Sequence, residues 1–234
     1  MEVFALSSKM ADAIEINPRI IMVLERLSIY SGLYDKSVKE IAADYGLNPH
    51  LLLTLINVQS DHTHDHNWYQ DLSIRDIPTV VDYLRHSHDY FQNEVYTIIT
   101  DDIKKMVAGE NKKEIKMLEL FFNNYCKEVN EHFAYENETA FPYIEELYRR
   151  KAEGLVYKDD FRRYSMGEYK SHHNDIEEKL IDFKNLLIKF LTVSENFYLK
   201  RNIVLNLFEL DQDLLAHTKI ENNILIPLVQ ELEN

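Results

Sequence analysis

From Ile74 onward the apolar positions of this 234-residue chain recur at alternating three- and four-residue steps in four long blocks. The first stripe holds Ile77, Val81, Leu84, His88, Phe91, Val95 and Ile98. The second holds Ile115, Leu118, Phe122, Tyr125, Val129, His132 and Glu136. The third runs through Tyr169, His173, Ile176, Leu180, Phe183, Leu187 and Phe190. The fourth runs through Ile203, Leu207, Leu210, Leu214, His217, Glu221, Ile224 and Leu228. Steps of this kind draw one apolar face along an α-helix. Four such faces predict an all-α, antiparallel up-down-up-down four-helix bundle over residues 74–234. Turns fall near 109–111, within 150–167 and at 192–196, and the middle connection is long enough to cross the bundle end or carry a short helix.

Ahead of the bundle, residues 1–58 read as a small helical domain. The stretch from Ser37 through Gly46, Asn48 and Pro49 to Ile56 reads as helix, glycine turn, Asn cap with proline at the first helical position, and second helix. That spacing resembles a helix-turn-helix. The second helix, however, is mostly Leu and Ile, with no Lys or Arg to meet phosphates and few polar side chains to read bases. It is expected to dock on the bundle or on a second subunit, as in a homodimer, because so many exposed leucines would favour aggregation. Residues 59–73 are polar and read as a linker. His62, His64 and His66 alternate within it, and without a scaffold they read as a solvated segment.

Composition narrows the function classes. With only five Gly and five Pro, the chain lacks the punctuation that many short strands need. A net charge of −14 repels nucleic-acid phosphates, so no nucleic-acid partner is expected. The single cysteine, Cys126, excludes an internal disulfide framework and a cysteine-based zinc site. No secretory leader or long apolar run stands out, so no membrane association and a cytoplasmic location are expected.

The chemistry is carried by polar residues inside the stripes. His132-Phe-Ala-Tyr-Glu136 and His217-Thr-Lys-Ile-Glu221 each set an imidazole and a carboxylate one helical turn apart on one face, and each is followed by an apolar-Pro step, Phe141-Pro142 and Ile226-Pro227. His88 and His173 lie on the other two stripes, whereas their neighbours His86 and His172 fall off them and read as surface or supporting residues. Burying a carboxylate without a partner is costly. Two of them among four imidazoles therefore imply cations, held by deprotonated ligands. One ion cannot use six side chains and stay open to chemistry. Two ions can each take two imidazoles and share both carboxylates, with an oxygen bridging them and a coordination position left vacant. Ligand type alone leaves iron, zinc and manganese open.

These motifs, together with Ser87-His88-Asp-Tyr and His172-His173-Asn, make residues 74–231 resemble a hemerythrin-like domain. The likeness is greatest to the di-iron proteins associated with repair of iron–sulfur and other iron centres. The resemblance implies a non-haem centre of two iron ions bound by His88, His132, Glu136, His173, His217 and Glu221, with the two glutamates bridging. The motifs differ from the five-histidine pattern of oxygen-carrying hemerythrins. The N-terminal segment resembles, more weakly, the small domain of the repair proteins, through Asn17-Pro18-Arg19 and the helical pattern to Leu55. The Cys-Cys-Gly-Gly stretch of that domain is replaced here by Ser28-Ile-Tyr-Ser-Gly32-Leu-Tyr-Asp, which leaves a thiol-dependent role without its residues. The resemblance implies a stress-response protein that restores iron centres damaged by nitric oxide or oxidants, with damaged iron–sulfur proteins as partners. A sensor of O2 or NO is the alternative. A catalyst of NO reduction or peroxide decomposition is a third reading, and the residues do not decide whether the centre turns over a substrate.

Overall fold

In the computed structural model, residues 4–30, 32–60, 70–109, 112–154, 176–189, 191 and 196–233 are described. The architecture is all-α: among these residues the only β-type pairing is an isolated bridge between Lys9 and Ser37. The chain packs as two compact units built from non-contiguous segments, one from Met1–His86, Pro142–Met166 and Ala216–Asn234, the other from Ser87–Phe141 and Gly167–Leu215.

The first unit contains α1 (Met10–Ile16), α2 (Ile20–Arg26), α3 (Val38–Asp44) and α4 (Pro49–Gln59). Ser37 and Glu40 close a capping box at the start of α3, which satisfies backbone donors that the first turn leaves open. Gly46 takes φ +65° in the turn that follows, a conformation that costs glycine little. The Asn48 side-chain oxygen then accepts the His50 N–H at 3.0 Å, with Pro49 in the first turn of α4. Glycine turn, cap and proline all match the sequence expectation. The leucine-rich helix buries Leu51, Leu52, Leu55 and Ile56 within its own chain. Side-chain bonds tie these helices to the start of α5 (Ile77–Tyr90). Asn48 donates to Asp76 at 3.0 Å, Arg26 donates to the Tyr83 hydroxyl at 3.4 Å, and the His86 Nδ1 meets the Arg26 carbonyl at 2.8 Å. Arg85 of α5 pairs with both oxygens of Glu145 on α8 (Phe141–Glu153).

The second unit gathers the end of α5 with α6 (Tyr96–Gly109), α7 (Lys113–Tyr135), α9 (Ile176–Lys189) and most of α10 (Phe197–Ile220). Its core draws on α6, α7, α9 and α10: Ile99, Ile103 and Met106; Leu118, Phe122 and Val129; Leu180, Phe183 and Leu187; Ile203, Leu207 and Leu210. Phe183 stacks on both Phe121 and Phe122 at 5.3 Å. Among the described residues the predicted seam positions are therefore buried or half-buried, with one correction; Tyr169, His173 and Phe190 of the third seam lie outside the described residues.

Ile98, placed on the first seam by its spacing, is 49% exposed, and Ile99 is buried in its stead. The cause is a π segment, Phe91–Val95, where the Tyr96 N–H bonds back to Phe91. An i→i−5 turn contains one residue more than an α turn, so every later position on that stripe moves one place along the chain. Two further π segments, Glu136–Ala140 and Glu221–Leu225, are closed by the Phe141 N–H on Glu136 and the Ile226 N–H on Glu221. The second leads into α8, and the third into α11 (Ile226–Glu233). Each is followed by the proline noted in the sequence. Pro142 and Pro227 have no N–H to give the carbonyl four residues back, and the ring would clash with it. Widening the preceding turn removes that conflict.

Candidate metal centre

The His-x-x-x-Glu pairs lie where these helices change pitch. Each glutamate is the first residue of a π segment, and its histidine lies one turn before it. Glu136 is fully buried, and its two oxygens face different rings. Oε2 is 3.2 Å from His88 Nε2, and Oε1 is 3.2 Å from His132 Nε2. His88 is itself fully buried. It stacks on Phe133 at 4.1 Å and on Phe141 at 5.6 Å, and its Nδ1 lies 3.1 Å from the Asn137 side-chain oxygen. The other pair repeats the local arrangement: His217 Nε2 is 3.2 Å from Glu221 Oε1, with both side chains buried.

Burial works to raise the Glu136 carboxyl, but hydrogen bonds from His132 and His88, reinforced by their charge, hold it well below the usual carboxylate range. An ionised carboxylate buried to this depth needs compensation by positive charge or full hydrogen bonding. Each unit thus holds a buried imidazole–carboxylate pair, His88 with Glu136 in one and His217 with Glu221 in the other. Imidazole nitrogens and carboxylate oxygens converging in a buried setting are the donor set of a transition-metal cation. The residues present therefore fit a metal site.

Of the six predicted ligands, His88, His132 and Glu136 come together in one unit, and His217 and Glu221 pair in the other. His173 lies outside the described residues, as do its neighbour His172 and the alternating His62, His64 and His66. His86 is exposed and directed at the Arg26 carbonyl rather than at Glu136. Sequence reasoning missed the residues that hold His88: Phe133, Phe141 and Asn137. One signal was available for the last, because Asn follows the motif glutamate in both copies, as Glu136-Asn137 and Glu221-Asn222.

Helical pairs of buried histidine and glutamate define the class: an all-α cation-binding domain. The sequence pattern of the hemerythrin HHE cation-binding domain matches residues 79–229. The chain belongs to that family. Among curated proteins no sequence matches it. Among the described residues, no helix is long and apolar enough to cross a membrane.

Proposed function

We propose that the chain holds two iron ions through His88, His132, Glu136, His173, His217 and Glu221, and that it serves to restore iron–sulfur or other iron centres damaged by nitric oxide or oxidants. The carrying observation is the Glu136 carboxylate, whose oxygens each face a different imidazole. That is the disposition required of a carboxylate serving two ions, and Glu221 is its counterpart in the repeat. Iron at such a site would supply exchangeable positions for diatomic ligands and a redox-active, releasable metal. The protein's own part is to hold the carboxylates ionised and the rings oriented, and to shield them from water behind Phe133 and Phe141.

In this proposal residues 1–58 form an accessory helical unit, 59–73 a linker and 74–234 the metal-binding bundle, in a cytoplasmic protein acting on damaged iron–sulfur proteins. A homodimer remains part of it. One observation favours the sensor reading as the second choice. The His86–Arg26 bond links α2 to α5 only two residues before His88, so a change at the ligand helix would be felt by the N-terminal helices. Iron analysis and Mössbauer spectra of freshly purified protein test the centre, with about two irons per chain expected. Incubation of the loaded protein with a cluster-free iron–sulfur enzyme then separates the functions. Reactivation supports repair. Absence of transfer, with an NO-dependent change in protease sensitivity of residues 1–58, supports sensing.

A further inference from the structure

The metal site rests on a histidine whose orientation has its own cause. His88 offers two ring nitrogens, and they meet adjacent residues of one π segment: Nε2 meets Glu136 at 3.2 Å and Nδ1 meets Asn137 at 3.1 Å. A neutral imidazole carries one proton, and the nitrogen without it is the one able to bind a cation. The phenyl rings of Phe133 and Phe141, stacked within 15° of the imidazole plane, set that plane but cannot choose between the nitrogens. In the metal-free protein Nε2 can donate to the Glu136 carboxylate, so the acceptor at Nδ1 is what keeps a proton on that side and reserves Nε2 for a cation.

We propose that Asn137 is a positioning residue of the metal site: its side-chain oxygen accepts the Nδ1–H of His88, so that Nε2, which faces Glu136, is the nitrogen left for a cation when one binds. The widened turn that begins at Glu136 carries both groups on consecutive residues, so one backbone feature aims the carboxylate and fixes the imidazole. The third π segment opens with the same pair, Glu221-Asn222. The inference rests on the metal-binding reading for its purpose, but not for its first test. Ligand histidines commonly donate their second N–H to a carboxylate, carbonyl or water, and losing that partner typically weakens metal binding about 10–100-fold.

The experiment uses the full chain labelled with 15N-histidine. Long-range 1H–15N spectra of the metal-free protein at pH 8 report the tautomer of His88, assigned by its loss in His88→Gln. A proton on Nδ1 is expected, together with the Nε2 proton given to Glu136 when His88 is charged; an Nδ1 without a proton overturns the proposal without any variant at position 137. Zinc(II), as a diamagnetic probe, is then titrated against a chelator into wild type, Asn137→Ala and Asn137→Asp. Asn137→Ala should bind zinc about 10–100-fold more weakly. Asn137→Asp, which keeps an acceptor, should stay within a few-fold of wild type. Equal affinity of Asn137→Ala and wild type overturns the proposal. If wild type binds no zinc or iron, the metal-site reading fails, and the tautomer spectrum still decides the role of Asn137.

Discussion

Replacing Glu136 by Gln should remove the stabilisation that metal confers while leaving the fold intact. The side chain is fully buried and its two oxygens meet His88 and His132 at 3.2 Å each. Gln keeps the volume and one acceptor, so no cavity opens, and the carboxylate charge that attracts a cation is lost. Stripping one member from a buried ion pair costs about 3–5 kcal/mol when the other charge is stranded. The retained acceptor, and imidazoles free to be neutral, keep the metal-free cost below that range. The metal-dependent term is separate and is read from the difference between loaded and metal-free protein. An ion at 100 times its dissociation constant stabilises the folded state by about 2.7 kcal/mol. In a chain of this length each kcal/mol moves the melting temperature by about 2–4 °C. One ion should therefore raise Tm by about 5–11 °C, and a second ion should add a similar step. The assay is anaerobic differential scanning calorimetry of metal-free and iron(II)-loaded protein, wild type against Glu136→Gln, with iron content measured on the same samples. Wild type should show the upward shift and the variant should show little. An equal shift in both would refute the role given to Glu136, and no shift in wild type would mean that the buried polar groups are satisfied without metal.

Three further outcomes follow from the packing. Phe183→Ala removes a fully buried ring stacked between Phe121 and Phe122 and should cost about 3–5 kcal/mol in urea unfolding; a loss below about 1 kcal/mol would deny the ring its central place in the core. Burial pushes the Cys126 thiol up to about 12 from 9.0, so it should resist a thiol reagent at pH 8 until the protein is denatured. Because the folded protein keeps this proton more tightly than the unfolded chain, stability should fall as pH rises from about 9 towards 12; Cys126→Ala should flatten that fall, and an unchanged slope would count against the assignment. Pro142→Ala restores an N–H that can close an α turn on Glu138, so metal content should drop while the metal-free melting temperature does not. A crystal structure of that variant with the Phe141–Glu136 bond still closing the turn would show that proline is not the cause.

The seams, the caps and the ligand-bearing motifs are local properties, and the sequence by itself determined them. A stripe of Leu207, Leu210, Leu214 and His217 can face only one way on a helix of 3.6 residues per turn, and these residues are buried as the spacing requires. Asn48 before Pro49, and Gly46 at φ +65°, likewise follow from the chemistry of single residues. The His-x-x-x-Glu pairs were legible for the same reason, since both partners lie on one turn. What tertiary structure decided was anything depending on where a helix departs from ideal pitch, or on which side chain arrives from another segment. The prolines six residues after Glu136 and Glu221 were visible, but periodicity assumes a constant turn, so the widening they accompany was not. In the first block, where no proline marks the π segment, the same assumption put Ile98 on the seam where Ile99 belongs. The pairing of His88 with Glu136 and Asn137 joins residues nearly fifty positions apart. No spacing rule reaches across that interval; only packing of α5 against the helix that carries the second π segment sets which nitrogen meets which oxygen.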